Sequence, residues 1–336
     1  MTVPVTTTAQ QIWETAEICQ LCGSQRYQKL FSVYQKDYVQ CSDCQVSRLY
    51  HRIAFNKLDL IYQDYYTAES ALISKEELAN QLANPTFLFR RKRLERFVPV
   101  ERRNIYEIGC GDGNFLAYLR NQGWQIQGCE YGLNTFEFIK ARHNIEVAIG
   151  DFATLSIPPG SLDVIGSYAV LEHLYTPRQW IKALRQALKP GGWLHLQLPN
   201  FRCWERYLTR ECWGLLNFPQ HVYFYSPAAL SQILAQEGFE TLTTVTYDPW
   251  HSPATTLASA RNLLKRLLTG KIPWSLPDNS VATASIDQAA LPATTYKKTH
   301  TQLFDGVMKP VATVLAHTQN LFGFGNIIDI IARVSR

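Results

Sequence analysis

Three glycines at alternate positions, Gly109, Gly111 and Gly113, form the stretch of this sequence best suited to holding a ligand. Glycine has no Cβ, so it adopts strained dihedral angles cheaply and lets a ligand approach the backbone. Residues 104–108 before them are rich in β-formers, and apolar residues recur at helical spacing after them. The pattern predicts a strand, a tight turn and a helix. Because a glycine motif is specific only in context, a tight turn without a ligand is the alternative interpretation.

The spacing of this turn separates two classes of nucleotide ligand. A dinucleotide-binding turn has its third glycine one place later, where this chain has Asn114. Glu107 lies two residues before the first glycine, and a carboxylate at a strand end suits a cationic ligand better than a pyrophosphate. A nicotinamide-dependent oxidoreductase is therefore disfavoured, although it stays an alternative.

Two further acidic residues end predicted strands. Glu130 closes the strand 124–130, 17 residues after Gly113, where α/β nucleoside folds hold ribose hydroxyls; a solvated acid at a strand end is the alternative. Asp151 closes the strand 145–151. A strand at 162–167, a helix at 177–188, a turn at 189–192 and a strand at 193–198 follow. This alternation predicts a doubly wound, mainly parallel α/β sheet with its ligand at the carboxyl ends of the strands.

The motifs Glu-Ile-Gly-Cys-Gly-Asp-Gly, Glu130, Gly-Asp151, Val-Leu-Glu-His-Leu and Leu-Lys-Pro-Gly-Gly occur in one order between residues 100 and 250. In order and spacing they resemble class I S-adenosylmethionine-dependent methyltransferases. The resemblance implies a Rossmann-like seven-stranded sheet, mainly parallel with the last strand antiparallel, and S-adenosylmethionine as the cofactor.

The same resemblance implies roles for individual residues. The three glycines would pass beside the methionine part of the cofactor, Glu130 would bind the ribose hydroxyls, and Asp151 the adenine amino group. Phe152 would lie beside the adenine ring, and Tyr168 with Ala169 would line the methyl-donor side. The predicted cofactor-binding residues are Glu107, Gly109, Cys110, Gly111, Gly113, Glu130, Tyr131, Asp151, Phe152, Tyr168 and Ala169.

Four of the eight cysteines form two Cys-x-x-Cys pairs, Cys19 with Cys22 and Cys41 with Cys44, separated by 18 residues. This spacing is typical of a zinc ribbon in which four thiolates hold a structural Zn2+. No ligand position would remain for water, so the metal would not be catalytic. Two disulfides, or four unrelated thiols, are the alternatives, and a reducing compartment disfavours the disulfides.

The 336-residue chain carries a formal charge of +5, and residues 90–103 alone hold seven basic and two acidic side chains. The local surplus accounts for the whole net charge, so nucleic acid is not expected as a partner. A solvated helix face is the favoured interpretation of this run, and contact with a phosphorylated substrate or anionic lipid is the alternative.

The sequence predicts a cytoplasmic protein. No apolar run reaches the roughly 18 residues that span a bilayer, and residues 1–18 lack the pattern of a signal peptide.

Residues 199–227 are dense in aromatic side chains and follow a predicted strand end, where loops build acceptor pockets in open α/β sheets. Transfer to a hydroxyl or carbon acid needs a base, and histidine titrates near neutrality. His221 and His173 are the candidate catalytic residues. The alternatives are a satisfied loop histidine for His221 and a cap of the cofactor pocket for Glu172 and His173.

Alternating β-branched residues predict a strand at 241–247, with 326–334 as its antiparallel partner. The roughly 70 residues between them exceed ordinary connections and are expected to have structure or function. Residues 257–268 form an amphipathic helix, 273–296 resemble a loop and 301–322 form a second helix. A lid over the acceptor pocket is the first interpretation, and peripheral membrane contact through 257–268 is the second.

The predicted domains are a zinc ribbon (1–58), a helical and aromatic connector (59–103) including the aromatic segment 60–66, a methyltransferase core (104–250), a helical insert (251–325) and a final core strand (326–336). The predicted function is methyl transfer from S-adenosylmethionine to a hydroxyl or carbon of a small metabolite, sugar or lipid-linked acceptor. A non-catalytic adenosyl-ligand-binding or partner-interaction protein is the alternative from a different class. Some membrane association would accompany a lipid-linked acceptor.

Overall fold

The computed structural model describes residues 12–61, 69–274 and 301–335. The aromatic segment predicted at 60–66 and the loop predicted at 273–296 lie almost entirely outside these ranges. Within the described ranges, a small N-terminal β region precedes a larger central sheet and its helices. No helix in these ranges is both long and apolar enough to cross a membrane.

The N-terminal region consists of short antiparallel strands. They are β1 (Trp13–Thr15), β2 (Tyr27–Val33), β3 (Lys36–Cys41), β4 (Ser47–Leu49) and β5 (His51–Ile53). Strands β2, β3 and β4 pair in sequence order, and β1 pairs with β5. Both Cys-x-x-Cys pairs belong to this region, and the third cysteine is the last residue of β3.

Two helices, α1 (Lys75–Leu82) and α2 (Pro85–Glu95), lead into the central sheet. The prediction that the basic run starting in α2 is a solvated face is wrong for Arg90 and Arg93. Arg90 is only 8% exposed, and its Nε donates to Gln197 Oε1 at 3.0 Å. Arg93 Nε donates to the fully buried Asp329 Oδ1 at 2.8 Å. These cations neutralise and orient polar side chains of the sheet, so part of the charge surplus is structural.

The remaining strands extend along the rest of the chain. They are β6 (Asn104–Ile108), β7 (Gln125–Glu130), β8 (Ala148–Ile149), β9 (Leu162–Tyr168), β10 (Leu188–Pro199), β11 (Tyr223–Phe224), β12 (Phe239–Val245) and β13 (Ile327–Val334). Among the described residues, seven of them form one sheet in the order β12-β13-β10-β9-β6-β7-β8. Strands β8, β7, β6, β9 and β10 are parallel, whereas β13 is antiparallel to both its neighbours. The predicted seven-stranded Rossmann-like sheet is confirmed.

The apolar run of β13 explains its place inside the sheet. Strand β13 is buried at almost every position, as expected of a strand that has neighbours on both edges and layers on both faces. The turn predicted at 189–192 is instead part of β10, whose pairing with β9 shifts register between Leu188 and Trp193. Positive φ at Gly191 (66°) accommodates this irregularity.

Helices connect these strands. They are α3 (Asn114–Asn121), α4 (Leu133–His143), α5 (Pro177–Ala187), α6 (Trp204–Thr209), α7 (Pro227–Gln236), α8 (His251–Thr269) and α9 (Thr301–Leu321). Helix α7 begins at Pro227, because Ser226 caps it by accepting a hydrogen bond from the Ala229 N–H and proline occupies its first turn. The two helices predicted between β12 and β13 are present as α8 and α9.

Strand β11 joins the N-terminal region to the core. It pairs antiparallel with β4, with Tyr223 opposite Arg48 and Phe224 opposite Ser47. The small sheet therefore has the order β11-β4-β3-β2 and takes one strand from the segment that follows β10. The N-terminal region and residues 199–227 share this sheet.

Candidate functional site

The glycine turn after β6 requires glycine at two of its positions. Gly109, Gly111 and Gly113 have φ of 66°, 55° and 72°. A Cβ at Gly109 would lie 2.5 Å from Val170 Cγ2, and one at Gly113 would lie 2.9 Å from Ile139 Cγ2. The turn is thus closely packed on one side, while Gly109 and Gly111 are half-buried.

Glu130 is locked against this turn. Its Oε2 accepts a hydrogen bond from the Gly111 N–H at 2.8 Å, and its Oε1 accepts from the Tyr131 N–H at 2.9 Å. The parallel pairing of β6 with β7 brings the two strand ends together. A carboxylate so fixed can still accept from two vicinal hydroxyls, which suits a ribose. The Tyr131 side chain is 73% exposed.

Glu107 is a buried acid behind the turn. It is 3% exposed, and within the described residues its Oε2 has no hydrogen-bond partner. Burial raises the pKa of Glu107 to about 8, although the Arg90 guanidinium opposes the shift. A buried carboxylate without a full set of donors suits a cationic ligand such as an ammonium group.

The other predicted cofactor residues lie at the carboxyl edge of the sheet or just behind it. Asp151 Oδ1 accepts from the Ala153 N–H at 3.0 Å, and Phe152 is buried with its ring edge against Tyr106. Cys110 is buried at 5% exposure. The contacts of these residues with a cofactor stay a prediction.

Tyr168 and Ala169 occupy different environments. The Tyr168 hydroxyl is hydrogen-bonded to His195 Nδ1 at 3.1 Å, and the Arg90 guanidinium lies 4.0 Å over its ring. Its hydroxyl is therefore engaged inside the protein. Ala169 is exposed and has φ of 57°, a strained value for alanine, and its N–H donates to the Gln197 carbonyl at 2.8 Å.

The structure brings the two candidate histidines together. The rings of His173 and His221 are perpendicular with centroids 4.6 Å apart. Burial lowers the pKa of His173 to about 4, and it also lowers the pKa of His221 well below the ordinary value. Glu172 adjoins both rings, and burial raises the pKa of its carboxyl to about 8. The sequence alone predicts only a capping role for Glu172, because nothing local shows that the chain returns His221 to it.

The four N-terminal cysteines converge. The Sγ atoms of Cys19 and Cys44 are 3.6 Å apart, and those of Cys22 and Cys41 are 3.5 Å apart. A tetrahedral site with Zn–S bonds of about 2.3 Å has edges of about 3.8 Å, whereas a disulfide bond is about 2.05 Å long. The thiolate donor set and its geometry therefore fit a structural zinc ion, as a cluster of four cysteines suggests.

The insert packs on the core through polar side chains. Helix α8 buries Ser252, Thr255, Thr256 and Ser259, and Glu205 accepts from Asn326 Nδ2 at 2.9 Å and from Ser259 Oγ at 3.3 Å. The predicted leucine face is instead half-buried to exposed, with Leu267 and Leu268 at 75% and 77% exposure. An open groove of ≈ 440 Å³ lies nearby, lined by Arg202, Trp204, Tyr207, Leu208 and Phe324, none of which was predicted to bind the cofactor.

Comparison with known proteins agrees with this geometry. A family model described as a methyltransferase domain matches residues 78–244. The chain belongs to the S-adenosylmethionine-dependent methyltransferases. The motifs that suggested this family are thus confirmed. The residues at the glycine turn fit the family's cofactor, since they offer a turn without Cβ atoms, a carboxylate for a ribose and a buried acid for an ammonium group.

The chain spans only about two thirds of the length of the curated relatives it matches. The chain is 28% identical over 163 residues to a probable S-adenosylmethionine-dependent methyltransferase of Mycolicibacterium smegmatis, covering 47% of this chain and 62% of the relative. It is 28% identical over 168 residues to a ubiquinone biosynthesis O-methyltransferase of Thiobacillus denitrificans, covering 45% and 71%. A solved methyltransferase from Archaeoglobus fulgidus is similar with a TM-score of 0.44 and 20% identity, covering 77% of this chain and all of that one (100%).

Proposed function

We propose that this protein transfers a methyl group from S-adenosylmethionine to a hydroxyl or carbon of a small metabolite, sugar or lipid-linked acceptor. The observation that carries the proposal is the contact of the Glu130 carboxylate with the Gly111 N–H beside the glycine turn. The cofactor supplies an electrophilic methyl group on a sulfonium. The protein's own task is chiefly alignment, because a displacement needs the nucleophile, methyl and leaving sulfur in line.

Each residue of the site has a defined part in this proposal. Glu130 binds the ribose hydroxyls and Asp151 the adenine amino group, while the glycine turn admits the methionine part. Glu107 faces the cofactor's ammonium group, whose positive charge would lower the pKa of this buried carboxyl again. The buried Arg90 lies over the Tyr168 ring and acts on Glu107, so it supplies a positive charge on the inner side of the pocket.

The acceptor side lies at the turn after β9 and in residues 199–227. We place the removal of the acceptor's proton at the cluster of Glu172, His173 and His221. Burial lowers the pKa of both histidines, so near pH 7 each ring is neutral and has one unprotonated nitrogen that can accept a proton, as a weak base. A hydroxyl acceptor is supported by one relative, which is named an O-methyltransferase.

A lipid-linked acceptor has one supporting feature. Leu264, Leu267 and Leu268 of α8 are 42%, 75% and 77% exposed, and Lys265 lies among them. We propose that residues 257–268 meet a membrane surface or cover the acceptor. Flotation with anionic vesicles tests the first role: the wild type should float, and a Leu267→Glu, Leu268→Glu variant should not.

The cofactor proposal is tested by calorimetric titration of the zinc-loaded protein with S-adenosylhomocysteine. Saturable binding by the wild type and weak or no binding by Asp151→Ala and Gly111→Arg are expected. Glu146→Gln, at an exposed acid paired with Lys140, is the matched control and should bind like the wild type. Absence of binding by folded wild-type protein would refute the proposal. Binding without turnover of any hydroxyl or carbon-acid acceptor would favour the non-catalytic alternative.

A further inference from the structure

Glu172 is a buried acid whose carboxylate lacks hydrogen-bond partners among the described residues. Its side chain is 1% exposed, and neither carboxylate oxygen has a hydrogen-bond partner among the described residues. Burial of an ionised carboxylate without a partner is strongly unfavourable, so such groups are normally paired, protonated or bound to a metal. The structure gives Glu172 no arginine or lysine in salt-bridge contact within the described ranges.

The His221 ring places a hydrogen-bond acceptor, its Nε2, near this carboxylate. Its Nδ1 lies 2.8 Å from the Leu215 carbonyl oxygen, which can only accept, so Nδ1 carries the hydrogen. In the neutral ring Nε2 is then unprotonated and carries a lone pair. This nitrogen lies 4.0 Å from Glu172 Oε1. Two lone-pair groups therefore face each other across a gap that a cation or a proton would bridge.

His173 completes the set of donors. It has a hydrogen bond with the backbone of Gln220, as His221 has with Leu215. Metal-binding histidines commonly donate their distal N–H to a carbonyl in this way, which fixes the ring and its tautomer. One donor atom from each of Glu172, His173 and His221 lies within 4.8 Å of the others. Metal bonds of about 2.0–2.2 Å require donor separations of about 3–3.5 Å, so movements of about an ångström would close the site.

The fold holds the turn that contains Glu172 and the segment that contains His221 together without an ion. The Val222 N–H, next to His221, donates to the Glu172 carbonyl at 2.8 Å. On the other side, Val170 packs where Gly109 lacks a Cβ, which places this turn against the glycine turn. His173 is only half-buried, so the cluster is not sealed.

We propose that Glu172, His173 and His221 bind a divalent transition-metal ion at the acceptor side of the cleft, separate from the ion expected at the four cysteines. Two imidazoles and one carboxylate form a donor set used for Zn2+, Fe2+ and related ions. The ion replaces the missing counter-charge of Glu172 and occupies the gap before His221 Nε2.

One consequence rests on the proposed function. A dication at this position lowers the pKa of a hydroxyl beside it, so it favours acceptors with an ionisable hydroxyl over carbon acids. In the metal-bound protein the two histidines are ligands and no longer serve as the base proposed above, so the acceptor hydroxyl ionises beside the metal and releases its proton to solvent. The methyl–sulfur bond breaks as the methyl–oxygen bond forms, which leaves S-adenosylhomocysteine and the methyl ether.

The test uses the full chain with its cysteine site filled with zinc, as checked by elemental analysis, and Co2+ as the probe. The wild type should bind one further equivalent of Co2+ with a ligand-field spectrum that lacks thiolate charge transfer. Glu172→Gln and His221→Gln should bind it at least tenfold more weakly, since each removes a ligand. His317→Gln, a histidine of α9 outside the cluster, is the control and should bind like the wild type.

Folding is monitored separately, because a variant at a buried position can misfold. Co2+ should raise the melting temperature of the zinc-loaded wild type and of His317→Gln, but not that of Glu172→Gln. Uptake of only the cysteine-bound metal, or equal Co2+ binding by Glu172→Gln, would overturn the inference and assign a proton to the gap. S-adenosylhomocysteine binding by the wild type is measured in parallel. If the wild type binds the second metal but not S-adenosylhomocysteine, the proposed function is refuted and the metal site is supported.

Discussion

Gly109→Ala perturbs the turn at its most crowded point. Alanine at φ of 66° is in the left-handed region, which costs about 1–2 kcal/mol. Its Cβ would also meet Val170 Cγ2 at 2.5 Å, and overpacking of this kind costs about 1–3 kcal/mol. The free energy of unfolding should therefore fall by about 2–5 kcal/mol.

Gly160→Ala separates the two costs. Gly160 has φ of 62°, but a Cβ there would have nothing within 4 Å. It should therefore lose only the conformational part, about 1–2 kcal/mol. Both variants are compared by urea unfolding, and S-adenosylhomocysteine affinity is measured by calorimetry. Gly109→Ala should bind the ligand more weakly than Gly160→Ala, because Val170 or the turn must move.

A double-mutant cycle gives the decisive result. Val170→Ala removes the methyl group that the new Cβ would strike, so in the Gly109→Ala background it should cost less than in the wild type by about 1–3 kcal/mol. Equal destabilisation by Gly109→Ala and Gly160→Ala, together with additive effects of Gly109→Ala and Val170→Ala, would refute the steric argument.

Three further predictions follow from the same contacts. Glu130→Gln should weaken S-adenosylhomocysteine binding by about tenfold or more in calorimetry, because hydrogen bonds to a charged acceptor are worth about 1.5–3 kcal/mol; unchanged affinity would exclude its ribose role. Since the pKa of Glu107 is raised from 4.5 to about 8, the ligand-free folded state retains a proton that the unfolded chain releases. The free energy of unfolding should thus fall as pH rises through that window, and Glu107→Gln should flatten the slope; equal slopes would contradict this. Arg93→Met removes the 2.8 Å contact of Arg93 with the buried Asp329, which keeps its contact with His195, so it should cost about 1.5–3 kcal/mol in urea unfolding, whereas Lys92→Met, at an exposed neighbour, should cost little.

Local patterns in the sequence were sufficient to predict the glycine turn, the strands of the central sheet and the helices α8 and α9. Each of these features has a signal within a few residues, such as alternate glycines or apolar periodicity. The burial of Arg93 has no such signal, because its partner Asp329 lies 236 positions away and reaches it only through the sheet order.

The proposed acceptor side was the hardest part to predict. His173 and His221 are separate candidates in the sequence, and the pairing that brings them against Glu172 depends on the path of a long segment after β10. Similarly, the amphipathic pattern of α8 identified its apolar face but not which face meets the core. Thr256 and Ser259 of α8 donate to Glu205, because that buried carboxylate needs donors.

Strand β11 connects the N-terminal sheet to the proposed acceptor side, so binding at one is expected to affect binding at the other. His221 lies two residues before Tyr223, which pairs with Arg48 only four positions after Cys44. Any ligand that orders His221 should therefore tighten zinc at the cysteines, and zinc should tighten that ligand by the same factor. A structural ion at the cysteines would in this way also influence the order of the segment that carries His221.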